Sequence, residues 1–119
     1  MRVRAARGAI TVERDESRLV LDATARLLKE VLASNAIDER EVVSIFFTAT
    51  PDLVSAFPAE AAREAGLTDT ALLCAREIDV PGAVPRVVRM LIHFNTEDET
   101  SAIKDVYLEG AKALRPDRG

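Results

Sequence analysis

The chain has 119 residues, 48% of them apolar and 30% charged, which is typical of one soluble globular domain spanning residues 1–119. Its net charge of −4 disfavours a general nucleic-acid binder, because phosphate binding needs a positive field. No apolar run approaches the ~18 residues that cross a bilayer, and no apolar segment typical of a secretory signal follows the basic start. The single cysteine, Cys74, cannot form an internal disulfide. We therefore predict a cytoplasmic protein that binds neither nucleic acid nor membrane.

The first third of the chain predicts a strand followed by a long helix. Residues 3–12 alternate with a period of two, and Arg7 is the exception on a face that is otherwise small and mostly apolar. Residues 17–34 carry an apolar stripe at helical spacing. Asp15 or Ser17 can cap the start of this helix, and an asparagine suits its end.

The middle of the chain predicts two further strands around a second helix. Asp38 and Glu41 have the spacing of a capping box, which indicates a short helical turn. Residues 42–50 are β-branched and aromatic, as in a buried strand. A helix over 58–65 begins with proline and is stopped by glycine, and residues 71–77 form the third strand.

The last third predicts two strands. Residues 87–96 alternate, with one face made of Val88, Met90, Ile92 and Phe94 and the other of Arg89, Leu91, His93 and Asn95. A polar turn, with one possible turn of helix, leads to a fifth strand over 105–112, in which Gly110 is expected to form a bulge. The tail, residues 114–119, is expected to be irregular.

The order β-α-β-α-β-β-β predicts an α+β fold with two helices packed on a mixed five-stranded sheet. Two helices cannot cover both faces of such a sheet. The uncovered face is then either polar or buried by another copy of the chain, which favours a homo-oligomer.

The sequence argues against several kinds of chemistry. It has no CxxC, no HExxH and no histidine cluster, so neither a metal site nor a cofactor is predicted. The only histidine, His93, has no evident serine or cysteine partner, which favours a structural role. No glycine-rich phosphate loop is present either.

Arginine is over-represented, since Lys29, Lys104 and Lys112 leave 13 of the 16 basic residues as arginine. Codon usage or heat adaptation can explain that total. It does not explain arginine on strands and at positions where a buried guanidinium needs an anion. The candidates are Arg7, Arg63, Arg89 and Arg115. A carboxylate ligand suits their planar fork, and ion pairs with the 20 acidic residues are the structural alternative.

Three other residue types are ambiguous. A lone strand cysteine such as Cys74 is usually a small core residue. Tyr107 is the only tyrosine and Glu77 ends a strand, and either can be simply packed or solvated.

Read as a string, the chain resembles the monofunctional chorismate mutases of the trimeric pseudo-α/β-barrel class from end to end. The matching stretches, in order and spacing, are RGAITVERD (7–15), TATPDL (48–53), FPAEAAR (57–63), CAREIDVPG (74–82), RVVRMLIHFNT (86–96) and VYLEGAKALRPD (106–117). The helix over 17–34 matches only in its pattern.

The resemblance implies a homotrimer with active sites between neighbouring subunits and chorismate as the substrate. It implies that Arg7 and Tyr107 bind the carboxylate of the enolpyruvyl side chain. Arg89 would contact the ether oxygen and the same carboxylate, and Glu77 and Cys74 would hold the ring hydroxyl. The apolar lining would be Phe57, Ala59, Leu72, Leu73 and Leu114, with Arg63 and Arg115 near the mouth.

Two features depart from this pattern. Glu60 stands where some relatives have a basic residue, which weakens the positive potential at the entrance. Cys74 and Glu77 are three positions apart, so they can share a site in one chain only if the strand ends or bulges near Ala75.

Two other classes of protein are compatible with the predicted fold and the candidate arginines. A trimeric enamine or imine deaminase also holds a carboxylate with an arginine between subunits. A non-catalytic regulator with the same fold would bind chorismate without converting it.

Overall fold

The computed structural model describes residues 1–114, so Arg115 and the rest of the tail lie outside the described residues. The helices and strands are β1 (Arg2–Thr11), α1 (Ser17–Ser34), β2 (Val42–Ala49), α2 (Ala59–Glu64), β3 (Ala71–Arg76), β4 (Val87–Thr96) and β5 (Val106–Leu108). Short 3-10 turns occupy Glu39–Glu41, Thr100–Ala102 and Glu109–Leu114.

The strands form one mixed sheet in the order β3-β2-β4-β1-β5. The central strand β4 is antiparallel to β1 and to β2, whereas β3 runs parallel to β2 and β5 parallel to β1. The predicted α+β class, with two helices on a five-stranded mixed sheet, is confirmed.

One face of the sheet packs against the helices. The stripe on α1 buries Val20, Leu27 and Val31 completely, and the buried Thr24 hydroxyl donates to the Val20 carbonyl at 2.7 Å. Gly8 lies under this helix, where a Cβ would stand 3.0 Å from both Leu27 Cδ1 and Val31 Cγ2. The absence of a side chain at that position lets α1 lie close to β1.

The other face, which we call the open sheet face, carries neither α1 nor α2. Among residues 1–114, the 3-10 helix Glu109–Leu114 covers one part of it, where Ala111 packs on Ala9 and Val87. On β4 the predicted alternation is confirmed, because Val88, Met90, Ile92 and Phe94 are buried, whereas Arg89, Leu91, His93 and Asn95 are half-buried. The open sheet face also carries large apolar side chains on other strands: Val3, Phe46 and Leu73 are 53%, 44% and 60% exposed.

Two strand predictions are wrong in detail. Strand β2 is not buried on both sides, since Val43 is 45% exposed and Phe46 is 44% exposed. The fifth strand is also much shorter than predicted, because Glu109 takes a φ of +53° and turns the chain into a 3-10 helix. Gly110 is therefore not a bulge, and its N–H donates to Thr11 Oγ1 at 2.8 Å.

The helix starts also differ from the predictions. Neither Asp15 nor Ser17 caps α1, which begins after Glu16 without a side-chain cap. Pro58 precedes the first helical residue of α2 instead of occupying it. The predicted short turn is present over Glu39–Glu41, where Asp38 accepts a hydrogen bond from the N–H of Arg40.

Within residues 1–114, no helix combines the length and the apolar character that a membrane span requires.

Candidate active site

Strand register brings four residues into one row across the open sheet face. Thr48 pairs with Arg89, Arg89 with Ala9, and Ala9 with Tyr107. Ala9, between the arginine and the tyrosine, is 1% exposed and packs with Val87 and Ala111. The next row holds Arg7, and together these side chains line a depression of about 390 Å³.

At one end of the depression, Arg89 meets a carboxylate that is held by a second donor. Arg89 Nε donates to Glu77 Oε2 at 3.0 Å, and Thr48 Oγ1 donates to the same oxygen at 2.7 Å. The Glu77 side chain is 16% exposed, so this pair is partly shielded from water. The Glu77 N–H donates to the Ala49 carbonyl at 3.0 Å, which extends the pairing of β3 with β2 by one residue. In the described part of the chain Arg89 makes no other ion pair, so its terminal nitrogens are available to an anion.

At the other end, Arg7 lies beside Asp105. Arg7 Nη2 donates to Asp105 Oδ2 at 3.0 Å, and the Arg7 backbone N–H donates to Oδ1 at 3.0 Å. The carboxylate is 16% exposed and the guanidinium 48% exposed. Arg7 is thus held in position yet remains reachable from the depression.

Cys74 is on the opposite side of the sheet from Glu77. Strand β3 runs unbroken to Arg76, and Cys74 pairs in register with the buried Phe47. Its Sγ accepts a hydrogen bond from the Ala59 N–H at 3.4 Å. The strand has no bulge at Ala75, and although it ends at Arg76 the Glu77 N–H continues the pairing with β2, so Cys74 and Glu77 do not share a site within one chain.

A second depression, of about 350 Å³, surrounds Cys74 and Phe57. Its rim is the loop between β2 and α2, which is tied to Asp15: the N–H groups of Val54 and Ser55 donate to that carboxylate at 3.2 and 3.1 Å. Hydrogen bonding from the Ser55 side chain, and then from these backbone groups, holds the pKa of Asp15 below its ordinary value. The loop that presents Phe57 is therefore anchored, although Phe57 itself is 73% exposed.

The remaining candidates are dispersed. Ala59 is 2% exposed and belongs to the main core, against which Leu72 also packs. Leu73 lies on the open sheet face, and Leu114 packs on a small cluster beside Tyr107. Arg63 is on α2.

Arg63 is engaged locally, because its Nη1 donates to Glu60 Oε1 at 2.9 Å. The acidic residue at position 60 therefore pairs with the arginine predicted near the site entrance. Both side chains are about half exposed, at 51% and 50%, so the pair is open to competition from other ions.

Among residues 1–114, no three or more histidine, cysteine, aspartate or glutamate side chains are grouped so as to hold a metal ion.

Comparison with known proteins points to a single family. The family model for chorismate mutase type I matches residues 3–118. The chain belongs to the chorismate mutase type I family. Chorismate mutase AroH of Thermus thermophilus is 48% identical over 116 residues, covering 97% of this chain and 95% of that protein. Chorismate mutase AroH of Bacillus subtilis (strain 168) is 38% identical over 118 residues, covering 98% and 93%.

The fold agrees with this membership. A solved chorismate mutase from Clostridium thermocellum superposes with a TM-score of 0.92 and 47% sequence identity, covering 93% of this chain and 99% of that one. The resemblance read from the sequence is thereby confirmed at the level of family and fold.

Sequence reasoning missed two residues that contact the candidate site of this chorismate mutase family member. Thr48 lies within the TATPDL stretch, where its place beside Arg89 depends on strand register. Asp105 precedes β5, and its contact with Arg7 depends on the parallel pairing of β1 with β5. The available signal for Thr48 was a polar side chain in a mostly apolar strand, a signal that Ser44 shares.

Proposed function

We propose that this protein catalyses the Claisen rearrangement of chorismate to prephenate in aromatic amino-acid biosynthesis, without metal or cofactor. The observation that carries the proposal is Arg89, fixed by Glu77 through Nε alone and placed in one depression with Arg7 and Tyr107. A family match over residues 3–118 supports the same reaction. A cytoplasmic location is part of the proposal and fits the free thiol of Cys74.

The reaction explains the residue types. Chorismate carries two carboxylates, and its rearrangement breaks a C–O bond while a C–C bond forms in the same step. No proton moves and no covalent intermediate forms, so the protein has to orient a flexible dianion and stabilise charge. Holding reacting groups in position can lower a barrier by several kcal/mol.

Arg89 is the residue proposed to stabilise the transition state. Negative charge grows on the ether oxygen as the C–O bond breaks, and a fixed cation in a shielded cleft favours that state over the ground state. The Nε contact with Glu77 fixes the plane of the guanidinium, and its terminal nitrogens remain to contact the ether oxygen and the adjacent carboxylate.

Arg7 and Tyr107 are proposed to bind the enolpyruvyl carboxylate. Both line the depression, on the neighbouring strands β1 and β5, which lie on the same side of the strand that carries Arg89. The guanidinium fork suits a carboxylate in two-bond geometry, and a phenol hydroxyl adds one further donor.

Glu77 is proposed to accept a hydrogen bond from the ring hydroxyl. Its Oε2 receives two donors, Arg89 and Thr48, so Oε1 is the oxygen left for substrate. Cys74 is proposed to contact the same hydroxyl from a neighbouring subunit, because within one chain it faces the helices.

We further propose a homotrimer with the active sites between subunits. The open sheet face exposes a band of apolar side chains, Val3, Phe46 and Leu73, that a neighbouring copy would bury. Within one chain, the candidate site residues also lie around two separate depressions, one at Arg89 and one at Phe57 and Cys74. A neighbouring subunit that brings its second depression to the first would complete the site. The resemblance assigns Phe57, Ala59, Leu72, Leu73 and Leu114 to the lining and Arg63 and Arg115 to the mouth, and Arg115 lies outside the described residues.

Two experiments test this proposal. Purified protein is incubated with chorismate and the product is identified by proton NMR, with prephenate as the expected product. Unchanged chorismate that nevertheless binds would indicate a regulator instead, and hydrolysis of an amino-acid imine would indicate a deaminase.

The shared site is tested by mixing subunits. Arg89→Ala and Cys74→Trp variants are each expected to be inactive. Trimers reassembled from both should regain part of the wild-type activity, because some sites then combine two intact halves. No recovery in trimers shown to be mixed would contradict a site between subunits.

A further inference from the structure

Thr48 holds the carboxylate that fixes Arg89. The Thr48 hydroxyl donates to Glu77 Oε2 at 2.7 Å, and Arg89 Nε reaches the same oxygen at 3.0 Å. Thr48 pairs with Arg89 on one side and with Ala75 on the other, so it lies between β4, which carries Arg89, and β3, which Glu77 follows. The hydrogen bond is partly buried.

This arrangement differs from the geometry that an arginine and a carboxylate usually prefer. A free pair tends to form two parallel hydrogen bonds, from two guanidinium nitrogens to two carboxylate oxygens. In such a pair, Glu77 would occupy a terminal nitrogen of Arg89 and both of its own oxygens. Here one oxygen receives both donors, and the second donor is Thr48 instead of Arg89.

We propose that Thr48 is a positioning residue of the active site, whose hydroxyl holds Glu77 in a single-contact pairing with Arg89. The inference rests on the proposed function, because the groups that this pairing leaves available are the ones proposed to contact chorismate. The terminal nitrogens of Arg89 stay available to the ether oxygen and carboxylate of the substrate, and Glu77 Oε1 stays available to the ring hydroxyl. Without the hydroxyl, Glu77 rotates toward a two-bond pair and neutralises the cation that the reaction needs.

A purely structural role for Thr48 makes a different prediction. Threonine is favoured in strands for its β-branched shape, which valine shares almost atom for atom. If shape alone mattered, Thr48→Val would be neutral and Thr48→Ser would be the harmful change. The positioning role predicts the reverse order.

The test compares these two variants in turnover and in binding. We expect Thr48→Val to lower kcat for chorismate by about tenfold, the equivalent of one hydrogen bond to a charged group, with a smaller effect on KM. Thr48→Ser should stay within about twofold of the wild type, and both variants should keep the wild-type melting temperature to within a few degrees. In a Glu77→Ala background, assayed at raised protein concentration, Thr48→Val should have no further effect, because it acts through that carboxylate.

Three outcomes would overturn the proposal while leaving the proposed function intact: unchanged kcat in Thr48→Val, an equal loss in Thr48→Ser, or a Thr48→Val effect that persists without Glu77. Calorimetric titration of the wild-type protein with chorismate shows whether the proposed function itself has failed. A wild-type protein that neither converts nor binds chorismate overturns the proposed function, and the role of Thr48 with it.

Discussion

The Arg7 guanidinium is 3.0 Å from the Asp105 carboxylate, so an arginine proposed to bind a substrate anion already has an anion of its own chain beside it. Asp105 accepts from both the side chain and the backbone N–H of Arg7. It therefore orients the guanidinium and, at the same time, offsets part of the positive potential that attracts a dianion. These two effects have opposite consequences for affinity.

Replacing Asp105 by asparagine separates the two effects. The amide can still accept from the Arg7 N–H, but the negative charge beside the substrate carboxylate is gone. We expect KM for chorismate to fall by about two- to fivefold, and to fall more at low ionic strength, where charges are less screened. Steady-state kinetics at two salt concentrations measures this, and a KM that rises would mean that orientation of Arg7 is the larger effect.

Substitution of Arg89 should lower kcat more than substitution of any other residue in the chain. Removing one fixed donor to a developing oxyanion typically costs ~2.7–4 kcal/mol, so Arg89→Ala should lower kcat by about 10²- to 10³-fold. Arg89→Lys should recover little, because an ammonium cannot contact Glu77 and the substrate as a fork does. Arg40→Ala is the matched control, since Arg40 is 87% exposed and pairs only with Asp38 among residues 1–114. Near-normal kcat in either Arg89 variant would remove Arg89 from its proposed role.

The contribution of Glu77 to activity should depend more on its hydrogen bonds than on its negative charge. Glu77→Gln keeps an acceptor near Thr48, Arg89 and the substrate hydroxyl, whereas Glu77→Ala removes it. We expect the glutamine variant to lose clearly less kcat/KM than the alanine variant. Equal losses would show that the negative charge itself is required.

Acid should weaken the fold partly through Asp38. Hydrogen bonding from the Arg40 side chain, and then from its backbone, lowers the pKa of Asp38 from 3.8 to about 2. A carboxyl whose folded pKa is lowered stabilises the native state above its unfolded pKa, and that stability is lost as pH falls through the folded pKa. The melting temperature should therefore drop between about pH 4 and pH 2.

The two partners of this contact give matched variants. Asp38→Asn removes the titrating carboxyl, and Arg40→Ala removes the side-chain hydrogen bond that lowers its pKa most while the backbone N–H remains. Both variants should therefore flatten the dependence of melting temperature on pH in that window, Asp38→Asn more than Arg40→Ala. A slope identical to the wild type in both variants would show that other carboxyls account for the acid sensitivity.

The sequence predicted the parts of the fold that follow from period and local chemistry. The alternation in β4 and the stripe on α1 each result from side-chain burial on one face, and both elements have the bounds that were predicted. The length of β5 could not be predicted in this way, because it ends where Glu109 adopts a positive φ that no hydrophobic pattern encodes.

The site was harder to predict than the fold. The resemblance gave the family, and the family comparison confirms it, but contacts between strands depend on register. Arg7 and Asp105 are 98 positions apart and meet only because β5 pairs in parallel with β1. Cys74 and Glu77 were expected to share a site in one chain only if the strand ended or bulged near Ala75, and the pairing continues through Glu77 without a bulge. We therefore propose that a second subunit brings the two residues together.

The most direct test of the central claim is the rate at which chorismate loses its ultraviolet absorbance in the presence of the purified protein, without added metal or cofactor. The wild type and Arg40→Ala should convert chorismate at the same rate, with no bell-shaped pH dependence at moderate pH, because no acid–base pair takes part. With Arg89→Ala, the absorbance of chorismate should hardly fall. A folded oligomer of the wild type that leaves the absorbance unchanged, or an Arg89→Ala variant as fast as the wild type, would contradict the account.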